Sequence, residues 1–354
     1  MQAKSLSKDV RPPAAAAFPA YPASWYLFCQ SSQLKDKPLS QRILGRQLVA
    51  YRKASGQVAV MDANCAHLGA DLGCGTVVGE TLQCPFHNWR YGADGVCFSI
   101  PHAAQIPAFA RLQTYPVAER HGSVFFFNGR EALFPLPFFF GASSEDFVAG
   151  KPFRYVADCT WYMTAANAFD MQHFHCVHGR DLIDRCRVDC PDPFARRNRY
   201  RAAIVGRSKS DAFLRSFVGP TVDVSITCWG GTYLLMTADF KRARSRFLIA
   251  TRPLEDGKTL CEGIVFTRRT NNPLKRWLWQ PLNLMIRRAL THGFVADESQ
   301  SLLGICYNPA TLTEGDVTMA DFFSWLVQLP AHRSNVAQPE VSLPAPMARV
   351  ANFG

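Results

Sequence analysis

Cys65-Ala66-His67, sixteen spacer residues, then Cys84-Pro85-Phe86-His87-Asn88-Trp89-Arg90-Tyr91 is the stretch of this chain that decides its fold. Each half offers one thiolate and one imidazole from a short loop. A [2Fe–2S] centre with two histidines on one iron and two cysteines on the other needs this inventory. Neutral imidazole in place of thiolate leaves the reduced cluster less negative and raises its potential. On that reading Cys65 and Cys84 hold one iron, and His67 and His87 the other. A tetrahedral zinc site uses similar donors, but it usually pairs cysteine with cysteine and histidine with histidine along the chain. Mixed pairs on two loops favour the cluster.

Working outward, 47–51, 58–61, 81–84 and 123–127 read as short strands separated by Ser-Gly, Asn, Gly-Glu and Asp-Gly turn signals. They predict an all-β domain over 24–130, with Gly69, Gly73 and Gly75 between the two loops. Cys74 and Cys97 read as small buried residues beside a ligand set that is already complete. Trp89 and Tyr91 read as packing residues. Residues 1–23 form an Ala/Pro-rich leader without a continuous apolar core, read as flexible. Residues 131–152 form a linker whose Pro135 and Pro137 among phenylalanines rule out regular structure.

Over 153–330 the text predicts a second, α+β domain. Strands are expected at 153–162, 222–227, 233–239, 246–251 and 261–267, with helices at 164–172, 274–290 and 321–329. Residues 331–354 are a C-terminal tail. The 274–290 helix, rich in Trp, Leu, Lys and Arg, has the composition of an interfacial helix. The reading preferred here packs it on the sheet with its charges outward.

A second polar constellation stands near the start of this domain: Asn167-Ala168-Phe169-Asp170-Met171-Gln172-His173-Phe174-His175-Cys176-Val177-His178. Asp170 and His173 are three apart, so on a helix they share a face, and the carboxylate can accept the second N–H of a metal-bound imidazole. His173 and His178 are five apart, so both face one metal only if the helix ends or bulges between them. A facial triad for non-haem Fe(II) needs two histidines and one carboxylate, with positions left open for O2 and substrate. Asp297, just after the 274–290 helix, is the expected carboxylate, with Glu298 the adjacent rival. Asp170 and Asn167 are the candidate catalytic residues, and Phe169, His175 and Cys176 the candidate pocket lining.

The Cys84–Tyr91 motif with its upstream glycines, and the Asn-x2-Asp-x2-His-x4-His pattern about eighty residues later, resemble the terminal oxygenases of Rieske non-haem iron systems. The resemblance runs from Ser24 to Cys306. It implies an N-terminal all-β Rieske domain followed by a helix-grip catalytic domain with an antiparallel sheet. Within the family, Ala23-Ser24-Trp25-Tyr26, Lys35-Asp36-Lys37-Pro38 and the text from Val60-Met61-Asp62 to Pro101 resemble aminopyrrolnitrin oxygenases most. Ketosteroid 9α-hydroxylases and cholesterol desaturases stand further off. The implied cofactors are one [2Fe–2S] cluster and one mononuclear Fe(II), with O2 as co-substrate. Electrons would pass from His67 or His87 to Asp170 and on through His173, crossing between subunits of a head-to-tail homotrimer.

Composition narrows the rest. The 354 residues are 48% hydrophobic and 19% charged, ordinary for a soluble two-domain protein, and no run approaches the ~18 apolar residues of a membrane span. Twelve cysteines spread through a chain with no export signal read as reduced thiols in the cytoplasm. There is no Gly-x-Gly-x-x-Gly fingerprint, so a separate NAD(P)H-dependent reductase, a ferredoxin or both must supply electrons. The net charge of +11, concentrated at Arg196, Arg197, Arg199, Arg201, Lys241, Arg242, Arg244 and Arg246, suits an acidic redox partner. No helix-turn-helix, zinc-finger or RNP-like motif supports nucleic-acid binding. The 26 phenylalanines point to an apolar, cyclic or aromatic substrate. It would be oxidised by N-oxidation, hydroxylation or oxidative cyclisation. The alternatives are a steroid-type hydroxylase or desaturase, and a non-enzymatic Rieske electron carrier, which would have no second metal site.

Overall fold

The structure, a computed structural model, describes residues 12–331. Turn-punctuated text before residue 130 folds as short strands: β1 (Trp25–Gln30), β2 (Leu39–Ile43), β3 (Arg46–Arg52), β4 (Val58–Asp62), β5 (Thr76–Val78), β6 (Thr81–Gln83), β7 (Arg90–Tyr91), β8 (Cys97–Ser99), β9 (Thr114–Tyr115), β10 (Val117–Arg120) and β11 (Ser123–Phe127). They make three small sheets in the orders β1-β11-β10, β2-β3-β4-β9 and β5-β6-β7-β8. Every pairing is antiparallel. The Cys84 loop joins β6 to β7 in the last of these sheets, and the Cys65 loop lies between β4 and β5.

The second half is one nine-stranded antiparallel sheet. Its strands are β12 (Phe147–Ala149), β13 (Phe153–Ala157), β14 (Arg180–Leu182), β15 (Arg187–Asp192), β16 (Ala195–Ile204), β17 (Thr221–Trp229), β18 (Tyr233–Phe240), β19 (Arg244–Pro253) and β20 (Thr259–Arg268). Its helices are α1 (Trp161–Ala166), α2 (Met171–Cys176), α3 (Lys209–Phe213), α4 (Gln280–Ser301) and α5 (Val317–Leu326). Strand alternation gives this sheet two buried faces. Tyr200, Ala202, Val222, Ile226, Cys228 and Leu234 join Trp161, Phe169, Phe174 and the apolar side of α5 in one core. Tyr233, Leu235, Leu248, Ala250, Ile264 and Phe266 join Trp25, Leu27, Phe125 and Phe127 in another. The β1-β11-β10 sheet therefore backs the large sheet, and the helices cover its front. This is the helix-grip arrangement, with α4 laid along β13 and β20.

Several expectations are corrected. The strand expected at 153–162 stops at Ala157, and Trp161 opens α1. The 12–23 part of the expected flexible leader is docked: Phe18 is buried and stacks on Tyr162 at 4.0 Å, and Ala23 donates to the Pro330 carbonyl at 2.9 Å. Cys74 is exposed, whereas Cys97 is buried. The tail beyond Ala331 lies outside the described residues. The 131–152 segment is irregular through Phe139, but it buries Phe134, Leu136 and Phe139 in the core shared by the two sheets and adds β12 to the large one. Trp277 is 76% exposed and Trp279 57%, in and around a π-helical turn, Lys275–Trp279, so this helix presents apolar as well as basic groups outward. No helix among the described residues is long and apolar enough to cross a membrane.

Candidate metal centres

Two loops of one design carry the first ligand set. In each, the cysteine amide donates to the carbonyl five residues on: Cys65 to Ala70 at 2.9 Å, Cys84 to Trp89 at 2.8 Å. In each, the residue four after the cysteine is left-handed, Gly69 at φ 74° and Asn88 at φ 59°, a region glycine and asparagine enter most readily. The loops turn the cysteines in and the histidines out: Cys65 and Cys84 are buried, His67 is exposed and His87 half-buried. The two Nδ1 atoms face each other at 3.0 Å. Trp89 stacks on His67 with centroids 4.8 Å apart and planes 3° from parallel. The Tyr91 hydroxyl accepts from the Ala66 amide at 3.1 Å and lies 3.1 Å from Cys65 Sγ. Burial pushes the Cys65 thiol up; the Tyr91 hydrogen bond opposes the rise and the adjoining Cys84 thiol adds to it.

This pairing tells a cluster from a single ion. Zinc bound at about 2.0–2.3 Å needs its four donor atoms within about 4 Å of one another. Among the described residues, only one set brings three donor atoms together within 4.8 Å, and it is not this one. The loops instead offer a thiol pair and a separate imidazole pair. The donors fit a two-iron cluster with one pair at each end.

The set that does converge is His173, His178 and Glu298. The sequence breaks the helix between the two histidines. Asp170 caps α2, its Oδ1 accepting from the amides of Gln172 at 3.0 Å and His173 at 3.1 Å. The helix ends at Cys176, and His178 stands beyond it. Gly179, at φ 58°, then turns the chain where a Cβ would meet the Gly206 backbone at 2.5 Å. His173 Nε2 and His178 Nε2 lie 3.1 Å apart, and Glu298 Oε2 is 3.1 Å from the first and 2.8 Å from the second. Asn167, in the turn between α1 and α2, donates to Glu298 and lies 3.1 Å from His173 Nε2. Burial alone would raise the Glu298 carboxyl, but hydrogen bonds from the two imidazoles hold it down at about 2. Two buried imidazoles and an ionised carboxylate are the donor set of a facial triad, and they fit a divalent iron.

Among the described residues, the carboxylate that meets the two histidines is that of the adjacent rival. Glu298 meets the two histidines; the side chain of Asp297 lies outside the described residues. Successive helical residues are rotated by about 100°, so the phase of α4 decides between neighbours, and the sequence does not give that phase. A usable signal was the spacing of Phe294 and Glu298, which share a face of α4: Phe294 stacks on His178 at 4.1 Å. No contact between the Asp170 carboxylate and the His173 ring is among the described contacts; its Oδ1 is engaged as the helix cap.

The expected pocket lining is also corrected. Phe169 is core, stacked on Phe322 at 3.9 Å. His175 is exposed and paired with Asp181, and Cys176 is exposed. All three lie off the cavity that reaches His178. That cavity, of about 300 Å³, runs between the helix-side face of the sheet and α4, past Phe174, Tyr200, Val224, Met236, Phe240 and Phe294. A smaller hollow of about 40 Å³ continues from Phe174, His178 and Phe294 to Glu298. Much of the basic run is neutralised within the chain: Arg197 and Arg199 pair with Asp189, Arg201 with Asp223 and Arg244 with Asp239. Arg196 lies over the Trp325 ring.

Residues 24–116 match the family model of the Rieske [2Fe-2S] domain. Aminopyrrolnitrin oxygenase of Pseudomonas fluorescens is 39% identical over 166 residues, 44% of this chain and 46% of that protein. The oxygenase component of a 3-ketosteroid-9-alpha-monooxygenase from Rhodococcus rhodochrous is 30% identical over 49% of this chain and 46% of its own. Cholesterol 7-desaturase of Xenopus laevis is 35% identical over 47% of this chain and 38% of its own. The match spans less than half the length of each of these relatives. Among solved structures, NdmA of Pseudomonas putida CBB5 with caffeine superposes with a TM-score of 0.63 at 20% identity, over 85% of this chain and 89% of that one. Dicamba monooxygenase bound to dicamba gives 0.57 at 22% identity, over 86% and 97%.

Proposed function

Because residues 24–116 are a Rieske [2Fe–2S] domain in a chain with the fold of Rieske oxygenases, we propose that this protein is a terminal oxygenase. It would take electrons from a separate reductase or ferredoxin and oxidise a mainly apolar, cyclic or aromatic metabolite with O2. One observation carries the reading: two buried imidazoles and Glu298 converge within 4.8 Å at the inner end of an apolar cavity. His173, His178 and Glu298 would hold a ferrous ion there, which would supply the O2-activating redox chemistry.

The chain's own side chains do the rest. Asn167 fixes Glu298 through its amide and so sets the open side of the triad. Phe174 and Phe294 flank His178 and keep water from it. Cys65 and Cys84 bury the thiolate end of the cluster, while His67 and His87 offer the imidazole end to solvent or to a docking surface. Electrons would enter the Asp170 region from the next copy in a trimer. The ten cysteines other than Cys65 and Cys84 would be free thiols, which suits a reducing, cytoplasmic setting.

A steroid-type hydroxylase or desaturase is the second reading, supported by the relatives of those names. A Rieske protein that only carries electrons leaves the converged triad without a purpose. Iron analysis of the purified protein is the test. About three irons per chain with a Rieske-type EPR signal are expected, together with reductase-dependent O2 uptake. Two irons per chain would sink the mononuclear site and the oxygenase with it.

A further inference from the structure

Three arginines reach the cavity that ends on His178: Arg180, Arg244 and Arg287. Two carry their own counter-charge, Arg180 pairing with Asp211 at 2.8 Å and Arg244 with Asp239 at 2.5 Å. Arg287, on α4, has no carboxylate partner among the described residues. Its Nε donates to Asn283 Oδ1 at 2.8 Å and its Nη1 to the Arg244 carbonyl at 2.6 Å, both neutral acceptors. Its Nη2 donates to no described residue. The side chain is half-buried in a wall that is otherwise mostly apolar, and burial holds its guanidinium below the usual arginine range.

A cation withdrawn from water without a counter-charge costs free energy, and a binding partner that brings the anion recovers it. The two neutral acceptors fix the guanidinium fork, and its remaining N–H groups suit a planar carboxylate. We propose that Arg287 is a specificity-determining residue that recognises a carboxylate on the substrate. The substrate would be an aromatic or alicyclic acid whose charged end pairs with Arg287 while its apolar body lies along Phe240, Met236 and Phe174 towards His178. Asn283 and Ser245, on the same wall, offer further hydrogen bonds to that end. This deepens the oxygenase reading and rests on it for the word substrate; the anion site itself stands on geometry alone.

The test is calorimetric binding to the as-isolated holoprotein. The probes are a panel of bicyclic and tricyclic aromatic carboxylic acids, each measured beside its neutral carboxamide. At least one acid should bind roughly tenfold to hundredfold more tightly than its amide, the range for a hydrogen bond to a charged group. Arg287→Met should abolish that preference, and Arg287→Lys should keep part of it. Arg287→Gln is the second variant should methionine disturb α4. The proposal is overturned if no acid is preferred over its amide, or if the preference survives in Arg287→Met. Iron content and the cluster EPR signal, measured on the same samples, keep the two readings apart: a missing third iron removes the oxygenase and leaves the anion preference to be scored by itself.

Discussion

The two candidate metal-ligand sets of this chain are built in opposite ways. The cluster loops are local: each is closed by a hydrogen bond from its own cysteine amide and a left-handed residue four positions on, and the imidazoles sit at the surface. The triad is assembled across the fold. Glu298 reaches His173 and His178 from 125 and 120 residues away, on a helix whose placement depends on the whole sheet. A site made of loops withstands changes elsewhere in the fold but is open to solvent. A site made of packing is dry and shaped, and it moves with every element that frames it.

Two sites built so differently should survive each other's removal. Cys84→Ser takes one thiolate from the cluster. The visible absorbance and the Rieske EPR signal should vanish and O2 uptake should stop, while iron analysis still finds about one iron per chain at the triad. Loss of that iron as well would mean that the two sites are not independent structures.

The converse change is Glu298→Gln. An amide is a weaker iron donor than a carboxylate, and iron should fall from about three to about two per chain with the cluster signal intact. The loss of affinity should exceed the roughly tenfold to hundredfold that removing a ligand's hydrogen-bond partner costs. Asp297→Asn, one residue away, should keep all the iron. The reverse pattern would return the third ligand to Asp297.

The same contrast explains what could be read before the fold was known. Cys65, His67, Cys84 and His87 could be picked out as candidates because their relation is a spacing, and His173 and His178 because the chain could break between them, as it does after Cys176. Glu298 was ranked below its neighbour because helix phase is set by packing partners such as Val295 on β13 and β20, which no local pattern records. The longest miss was β16. Its Ala195-Arg-Arg-Asn-Arg-Tyr-Arg-Ala-Ala-Ile204 text reads as a basic run, yet Asn198, Tyr200, Ala202 and Ile204 alternate onto the buried face while most of the arginines pair with acids on neighbouring strands. Period-two alternation was present, and the charges hid it. The candidate pocket failed for a related reason: Phe169, His175 and Cys176 are near the ligands in sequence, whereas the cavity is walled by strands far from them.

Asp170 lies between the two sites in role, and there a smaller effect decides more. Its carboxylate caps α2, and asparagine caps nearly as well, whereas Asp170→Ala should lose about 1 kcal/mol and lower the Tm by about 2–4 °C. Asp170→Asn should therefore match the wild type in Tm and in iron content. If the carboxylate also carries the electron path proposed above, turnover stops in both variants. Full O2 uptake in Asp170→Asn would reduce the residue to a cap and remove it from that path.

The smallest effect expected is at Tyr91, inside the cluster domain. The Ala66 amide donates to the Tyr91 oxygen at 3.1 Å, and Cys65 as a ligating thiolate would have no proton to give, so across their 3.1 Å contact the phenol would donate. A hydrogen bond to a ligating sulfur offsets the charge gained on reduction, and such bonds are among the factors that set cluster potential. Tyr91→Phe removes that bond and leaves a ring of the same shape in a fully buried position. The cluster should remain assembled with unchanged iron content, and a potentiometric titration followed by EPR should give a more negative midpoint. The triad, remote in construction, should keep its iron. A midpoint unmoved by the change would mean that Tyr91 only fills space beside Cys65, as its sequence context first suggested.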